Sequence, residues 1–136
     1  MSEVVLDNEA VAALRDTTHT KHGRVLSHLQ AAVWRRRRGE RATVVVPCAV
    51  RVEARWDRSQ PGAAAVNRFP VSDVPLDAAH ANVAAAIVTR DRVSVADAHV
   101  GAVVVIADWS DVVVLTSDPR DMLRVCSPTR IRAIRI

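Results

Sequence analysis

The chain has 136 residues, 49% hydrophobic and 25% charged, which suits one globular domain over 1–136 and excludes a largely disordered chain. Four Gly and six Pro exclude collagen-like and low-complexity classes, and 3% aromatic content leaves the core to Val, Ala, Leu and Ile. The net charge of +4 rests almost wholly on arginine, with Lys21 the sole lysine; arginine suits phosphate, but so mild a charge is weak evidence for nucleic acid.

In chain order, Glu3–Asp7 (EVVLD) reads as a buried strand ending on an acid, and Asn8–Asp16 as a short helix. After a polar break at Thr17–Thr20, His22–Arg38 places Val25, Leu29, Ala32 and Val33 at helical spacing. Arg35–Arg38 followed by Gly39 suits a helix C-terminus closed by a left-handed residue. Ala42–Val46 (ATVVV) is a second strand, stopped by Pro47, and Cys48–Arg58 reads as a helix opened by that proline. Ser59–Ala63 is a turn, and Asn67–Val74 a weak edge strand interrupted by proline. Asp77–Arg90 is a helix capped by Asp77. Ser94–Trp109 is strand-like by propensity across Val100–Ala107, while its length favours a buried helix. Asp111–Thr116 is a strand, Ser117–Cys126 a capped helix, and Arg130–Ile136 an alternating final strand. Apolar strands alternating with helices predict an α/β fold with a mainly parallel sheet covered on both faces.

The apolar run Val100–Ala107 is far short of a membrane span, and Glu3 and Asp7 within the first apolar segment argue against a signal peptide. A cytoplasmic protein with no membrane partner is expected. Cys48 and Cys126 have no metal-ligand spacing and read as plain buried thiols. Trp34, Trp56 and Trp109 read as packing or dimer anchors, and His99, two residues past Asp97, would point away from it on a helix.

In parallel sheets ligands bind beyond the carboxyl ends of the strands. The acids there are Asp7, Asp118 and, a helical turn later, Asp121; Glu53 follows the second strand and Asp97 opens the ambiguous segment. Taken singly, Asp7, Asp118 and Asp97 with Ser94 are explained by helix capping. Glu53 is not, because on a continuous helix it shares a face with Ala49, Val50 and Trp56, where a carboxylate needs a partner. Carboxylates converging on one sheet edge repel, and a hard divalent cation relieves the repulsion. Such an ion suits in-line phosphoryl chemistry. Arg51, Arg55 and Arg58, at i, i+4 and i+7, would form a helical stripe able to hold RNA phosphates, or an ordinary solvated face.

The segments VVLDNEAV, VVVPCAVRVEARWDR, VADAHVGA and VVVLTSDPRDML resemble, in order and context, the PIN-domain family and its VapC-like toxins. The resemblance implies a three-layer α/β/α sandwich on a five-stranded parallel sheet, and an endoribonuclease dependent on Mg²⁺ (or Mn²⁺). It implies Asp7, Glu53, Asp97 and Asp118 as catalytic, metal-holding acids, Asp121 as an accessory acid and Thr116 as a polar support. Asn8 departs from the Ser or Thr usual after the first acid, though its amide can bond a metal-bound water or a carboxylate. The implied partners are an RNA substrate, an antitoxin protein and a second copy in a homodimer. An alternative is a PIN-like module that binds RNA or protein without cleaving. A receiver domain would need a lysine after its last strand, and a dinucleotide-binding domain a glycine-rich turn after its first; the sequence offers neither.

Overall fold

A computed structural model describes residues 2–136. Its centre is set by valine. Strands β1 (Ser2–Leu6) and β4 (Val112–Thr116) are buried along their whole length, as parallel strands with both faces covered must be. They pair side by side, with Val4 between Val44 of β2 (Ala42–Pro47) and Val113 of β4. Two short strands, β3 (Val71–Val74) and β5 (Arg132–Arg135), form the edges, giving an all-parallel sheet of order β3-β2-β1-β4-β5.

Helices α1 (Asn8–Arg15) and α2 (His22–Arg37) link β1 to β2 and pack together. The other helices are α3 (Cys48–Glu53), α4 (Ala78–Asp91), α5 (Val95–Ala107) and α6 (Pro119–Val125), and α5 packs against each of α3, α4 and α6. Right-handed crossovers put α1 and α2 on one face of the sheet and α4, α5 and α6 on the other, which makes the expected three-layer α/β/α sandwich.

The ambiguous segment Ser94–Trp109 is the helix α5. Ser94 caps it by accepting the Asp97 N–H at 3.1 Å, and its small residues let neighbouring helices approach on several sides. Gly101 is required by that approach: a Cβ there would lie 2.2 Å from the Val125 carbonyl oxygen of α6. At the end of α2, Gly39 takes the expected left-handed conformation (φ +80°) and closes the last turn through bonds from Gly39 and Glu40 N–H to the Arg36 and Arg35 carbonyls.

Three expectations need correction. The helix expected to reach Arg58 stops at Glu53, because Arg55 adopts φ +58° and the chain turns so that Trp56 is buried. The strand expected from Asn67 begins at Val71, the preceding Val66–Arg68 forming a 3₁₀ turn before Pro70. Trp34 is 65% exposed, which sets aside core packing and leaves the dimer-anchor alternative standing. It borders a groove of about 440 Å³ with Leu26, Leu29, Val33 and Phe69. Cys126 is a buried free thiol as expected, but Cys48, also free, is only half-buried. Among the described residues, no helix is long and apolar enough to cross a membrane.

Candidate active site

The order of the strands decides where the acids meet. β1 leads out to β2 on one side and β4 to β5 on the other, so the strand order reverses between β1 and β4. Asp7 is the first residue past β1, and Asp118 the second past β4. Two valine strands far apart in the sequence therefore deliver two carboxylates to one crevice.

Each acid is fixed by the way its helix begins. Asp7 caps α1, its Oδ1 accepting the Ala10 N–H at 2.9 Å. It also accepts bonds from the Thr116 hydroxyl and the Ser117 N–H. Burial nevertheless wins, holding the Asp7 carboxyl above the ordinary aspartate range. Thr116 is fully buried, and its Oγ1 accepts the Asp118 N–H at 2.9 Å while its hydroxyl serves Asp7. One hydroxyl thus ties the first acid to the turn that carries the last. Asp118 caps α6 by accepting the Asp121 N–H at 3.2 Å. Asp121 is partly neutralised by Arg124 at 2.7 Å.

Asp97 lies in the first turn of α5 and carries the clearest electrostatic signature. Its pKa is pushed up to about 6, first by burial and then by the charges of Asp7, Glu53, Asp121 and Asp118. Glu53, the last residue of α3, reaches the same place from the opposite side but is exposed. The expected burden of a carboxylate on an apolar helix face does not arise, since the helix has ended and Trp56 lies outside it.

All the acids expected from the sequence, with Asn8 and Thr116, line one cavity of about 340 Å³: Asp7, Asn8, Glu53, Asp97, Thr116, Asp118 and Asp121. Glu9, Ser94, Ser117 and Met122 complete the wall. Glu9 carried no sequence signal, being one more acid in a polar helix turn; it faces His19 at 3.3 Å and Lys21 at 3.4 Å. The capping role of Ser94 was the only hint of its place here.

The arginines do not gather in the same way. With α3 ended at Glu53, the helical stripe of Arg51, Arg55 and Arg58 does not form. Arg51 and Arg58 both bind Asp73 of β3, at 2.8 and 3.0 Å, and Arg58 stacks 4.1 Å over the Trp56 ring. Arg55 is exposed and unpaired among the described residues. His99 points away from the cavity, as expected, and is fully buried; burial, reinforced by His80, lowers its pKa to about 4.

The donor chemistry fits a hard divalent cation: every candidate ligand is a carboxylate oxygen, and their mutual repulsion already raises the proton affinity of Asp97. Among the described residues, no group of three or more His, Cys, Asp or Glu side chains is arranged to hold an ion by itself.

Fold and site define an α/β protein with an acidic crevice at the strand-order reversal. No family model matches the sequence, and no curated protein is similar to it. Solved structures are similar in fold. VapBC2 from Rickettsia felis, bound to a DNA fragment from its promoter, superposes with a TM-score of 0.63 over 98% of both chains at 9% identity. VapC20 of Mycobacterium tuberculosis, a toxin that cleaves the sarcin-ricin loop, gives 0.59 over 85% of this chain and 91% of that one at 21% identity. FitAB bound to a DNA fragment gives 0.60 over 97% and 94% at 14% identity. The chain thus has the fold of the VapC-like PIN domains.

Proposed function

We propose that this protein is a divalent-metal-dependent endoribonuclease, the toxin of a toxin–antitoxin pair. The observation that carries the reading is the meeting of Asp7, Glu53, Asp97 and Asp118 in one cavity, close enough to raise the pKa of Asp97. Structural capping explains why single acids stand at helix starts; it does not explain why four elements aim them at the same space. The likeness in fold to VapC20, a toxin that cleaves RNA, supports the same conclusion.

Asp7, Asp97 and Asp118 would hold the cation, with Glu53 closing the site from α3. When bound, the ion supplies positive charge for the phosphoryl oxygens and lowers the pKa of a water for attack on the phosphodiester. The chain itself supplies placement. Thr116 holds Asp7 and the Asp118 turn in fixed relation, and Ser94 holds the first turn of α5. The acidic wall of the cavity would repel the RNA backbone without a bound cation, so substrate and metal would bind together. Arg55, exposed two residues beyond Glu53, is the arginine of the expected stripe best placed to meet a phosphate. An antitoxin partner belongs to the same reading, as in the VapBC2 and FitAB complexes. So does a homodimer: Val52, Leu76 and Val95 expose an apolar patch, beside Glu53, that a second copy would cover.

The test is cleavage of structured RNA by the purified chain. Mg²⁺ or Mn²⁺ should support cutting, excess chelator should stop it, and Asp7→Asn should abolish it. Asn caps a helix as well as Asp, so this change removes charge while keeping α1. Activity that survives chelation overturns the metal role. A wild-type chain inert with either cation would be a non-cleaving binding module.

A further inference from the structure

Helix α3, which carries Glu53, has six residues and begins after Pro47 without a side-chain cap. So short a helix does not fix its own direction. Its ends are instead held from outside. At the start, the Ala49 N–H donates to Nδ1 of His99 on α5, 3.2 Å away and 50 residues along the chain. At the end, the Arg15 guanidinium of α1 donates to the Ala54 carbonyl. The two anchors come from the two helices whose first turns carry Asp97 and Asp7.

Besides the Ala49 N–H, the His99 ring meets the backbone of Pro75. His99 is completely buried, and its Nε2 makes no hydrogen bond of good geometry. Its other ring neighbour is His80, edge-to-face at 5.6 Å, which is already bonded to Asp77 at 2.7 Å. An unpaired buried nitrogen costs free energy that an apolar side chain of the same shape would not. Filling the core therefore does not explain a histidine here, whereas accepting the Ala49 N–H does.

We infer that His99 is a positioning residue of the acidic site: by accepting the Ala49 N–H it sets the first turn of α3, and so places Glu53 relative to Asp97 on its own helix. Asp97 and His99 are two residues apart, about 200° around α5, so one helix presents a carboxylate to the cavity and an anchor to α3 behind it. The role in the site rests on the metal-site reading above; the anchoring of α3 does not.

Two substitutions separate anchoring from packing. His99→Leu fills much of the space without an acceptor. His99→Asn leaves more empty volume but keeps an acceptor oxygen where Nδ1 stood. Two quantities are measured on wild type and both variants: amide hydrogen exchange at Ala49 by NMR, and Mn²⁺ affinity by titration. In His99→Leu, Ala49 should exchange about tenfold faster, the worth of one hydrogen bond. Mn²⁺ affinity should fall about tenfold, as when a ligand loses its supporting partner. His99→Asn should recover most of both losses although it melts no higher than the Leu variant. A Leu variant that matches wild type in both, or an Asn variant that recovers neither, overturns the inference. Wild type that binds no Mn²⁺, while Ala49 exchange still follows the acceptor, sinks the metal reading and leaves the anchor standing.

Discussion

Asp97 shows how one carboxylate can record the charges of a whole site. Above pH 6 it is ionised in both folded and unfolded chains, and the folded chain bears first the cost of burying that charge and then the repulsion of Asp7, Glu53, Asp121 and Asp118. As pH falls through 6 toward 3.8, the folded chain takes up a proton that the unfolded chain does not, so its stability rises relative to a chain without this group. In chelator, Asp97→Asn should therefore stabilise the protein at pH 7.5. The expected gain is about 1 kcal/mol, well below the full linkage value because the carboxyl is half-exposed and screened. The gain should shrink to nothing near pH 4. His99 works in the opposite sense, its lowered pKa costing stability as pH falls from 6.5 to about 4. It is common to both proteins, so the difference between their denaturation midpoints isolates Asp97. An advantage that does not change with pH would mean that the Asp97 carboxyl is not held above its ordinary range. Asp7 illustrates the other lesson at this scale: a helix cap and a functional acid are the same residue, so finding the cap does not argue against the site.

Among the elements, α5 carries the most. It brings Asp97 to the cavity and Gly101 to α6 on one side and His99 to α3 on the other, three contacts made by one 13-residue helix. The sequence supports either structure across Val100–Ala107, because β-branched residues packed on all sides suit a buried strand or a buried helix. The small residues at 96, 98, 101 and 102 decide in favour of the helix once its neighbours are known to press against it. Gly101→Ala should destabilise the fold by about 2 kcal/mol, since the added methyl meets backbone that cannot swing aside. Thermal melting checks this; a midpoint within a degree of wild type would show that α6 moves away freely. At α3 the sequence misleads for a physical reason. Cys48–Arg58 has acceptable helix propensity throughout, but the burial of Trp56, whose Nε1 donates to Asn67 at 3.0 Å, outweighs continuation of the helix. Ending the helix there turns the arginine stripe into a clasp on Asp73.

For the molecule as a whole, the cation of the proposed function would link its binding to folding. An ion that binds the folded chain and not the unfolded one stabilises it by about 2.7 kcal/mol at 100 times its dissociation constant. Mn²⁺ should accordingly raise the melting temperature of wild type by several degrees and that of an Asp7→Asn, Asp97→Asn double variant hardly at all. Equal shifts for both proteins would place the ion elsewhere. Relief of repulsion also means that the metal-free double variant should melt above metal-free wild type, so the two curves should approach as Mn²⁺ is added.

The sequence by itself determined the alternation of valine-rich strands with helices, the parallel sheet that follows from it, and the caps that place an acid at the start of α1, α5 and α6. These depend on neighbours within a few residues, and local pattern is enough to read them. The joining of Asp7, Glu53, Asp97 and Asp118 in one crevice was implied only by resemblance in order and context, because no local rule relates residues so far apart. Only the tertiary structure decided that α3 stops at Glu53, that Arg51 and Arg58 face Asp73, and that a buried histidine on α5 holds α3 in place. Each of those depends on burial and on a partner distant along the chain, which no stretch of neighbouring residues encodes.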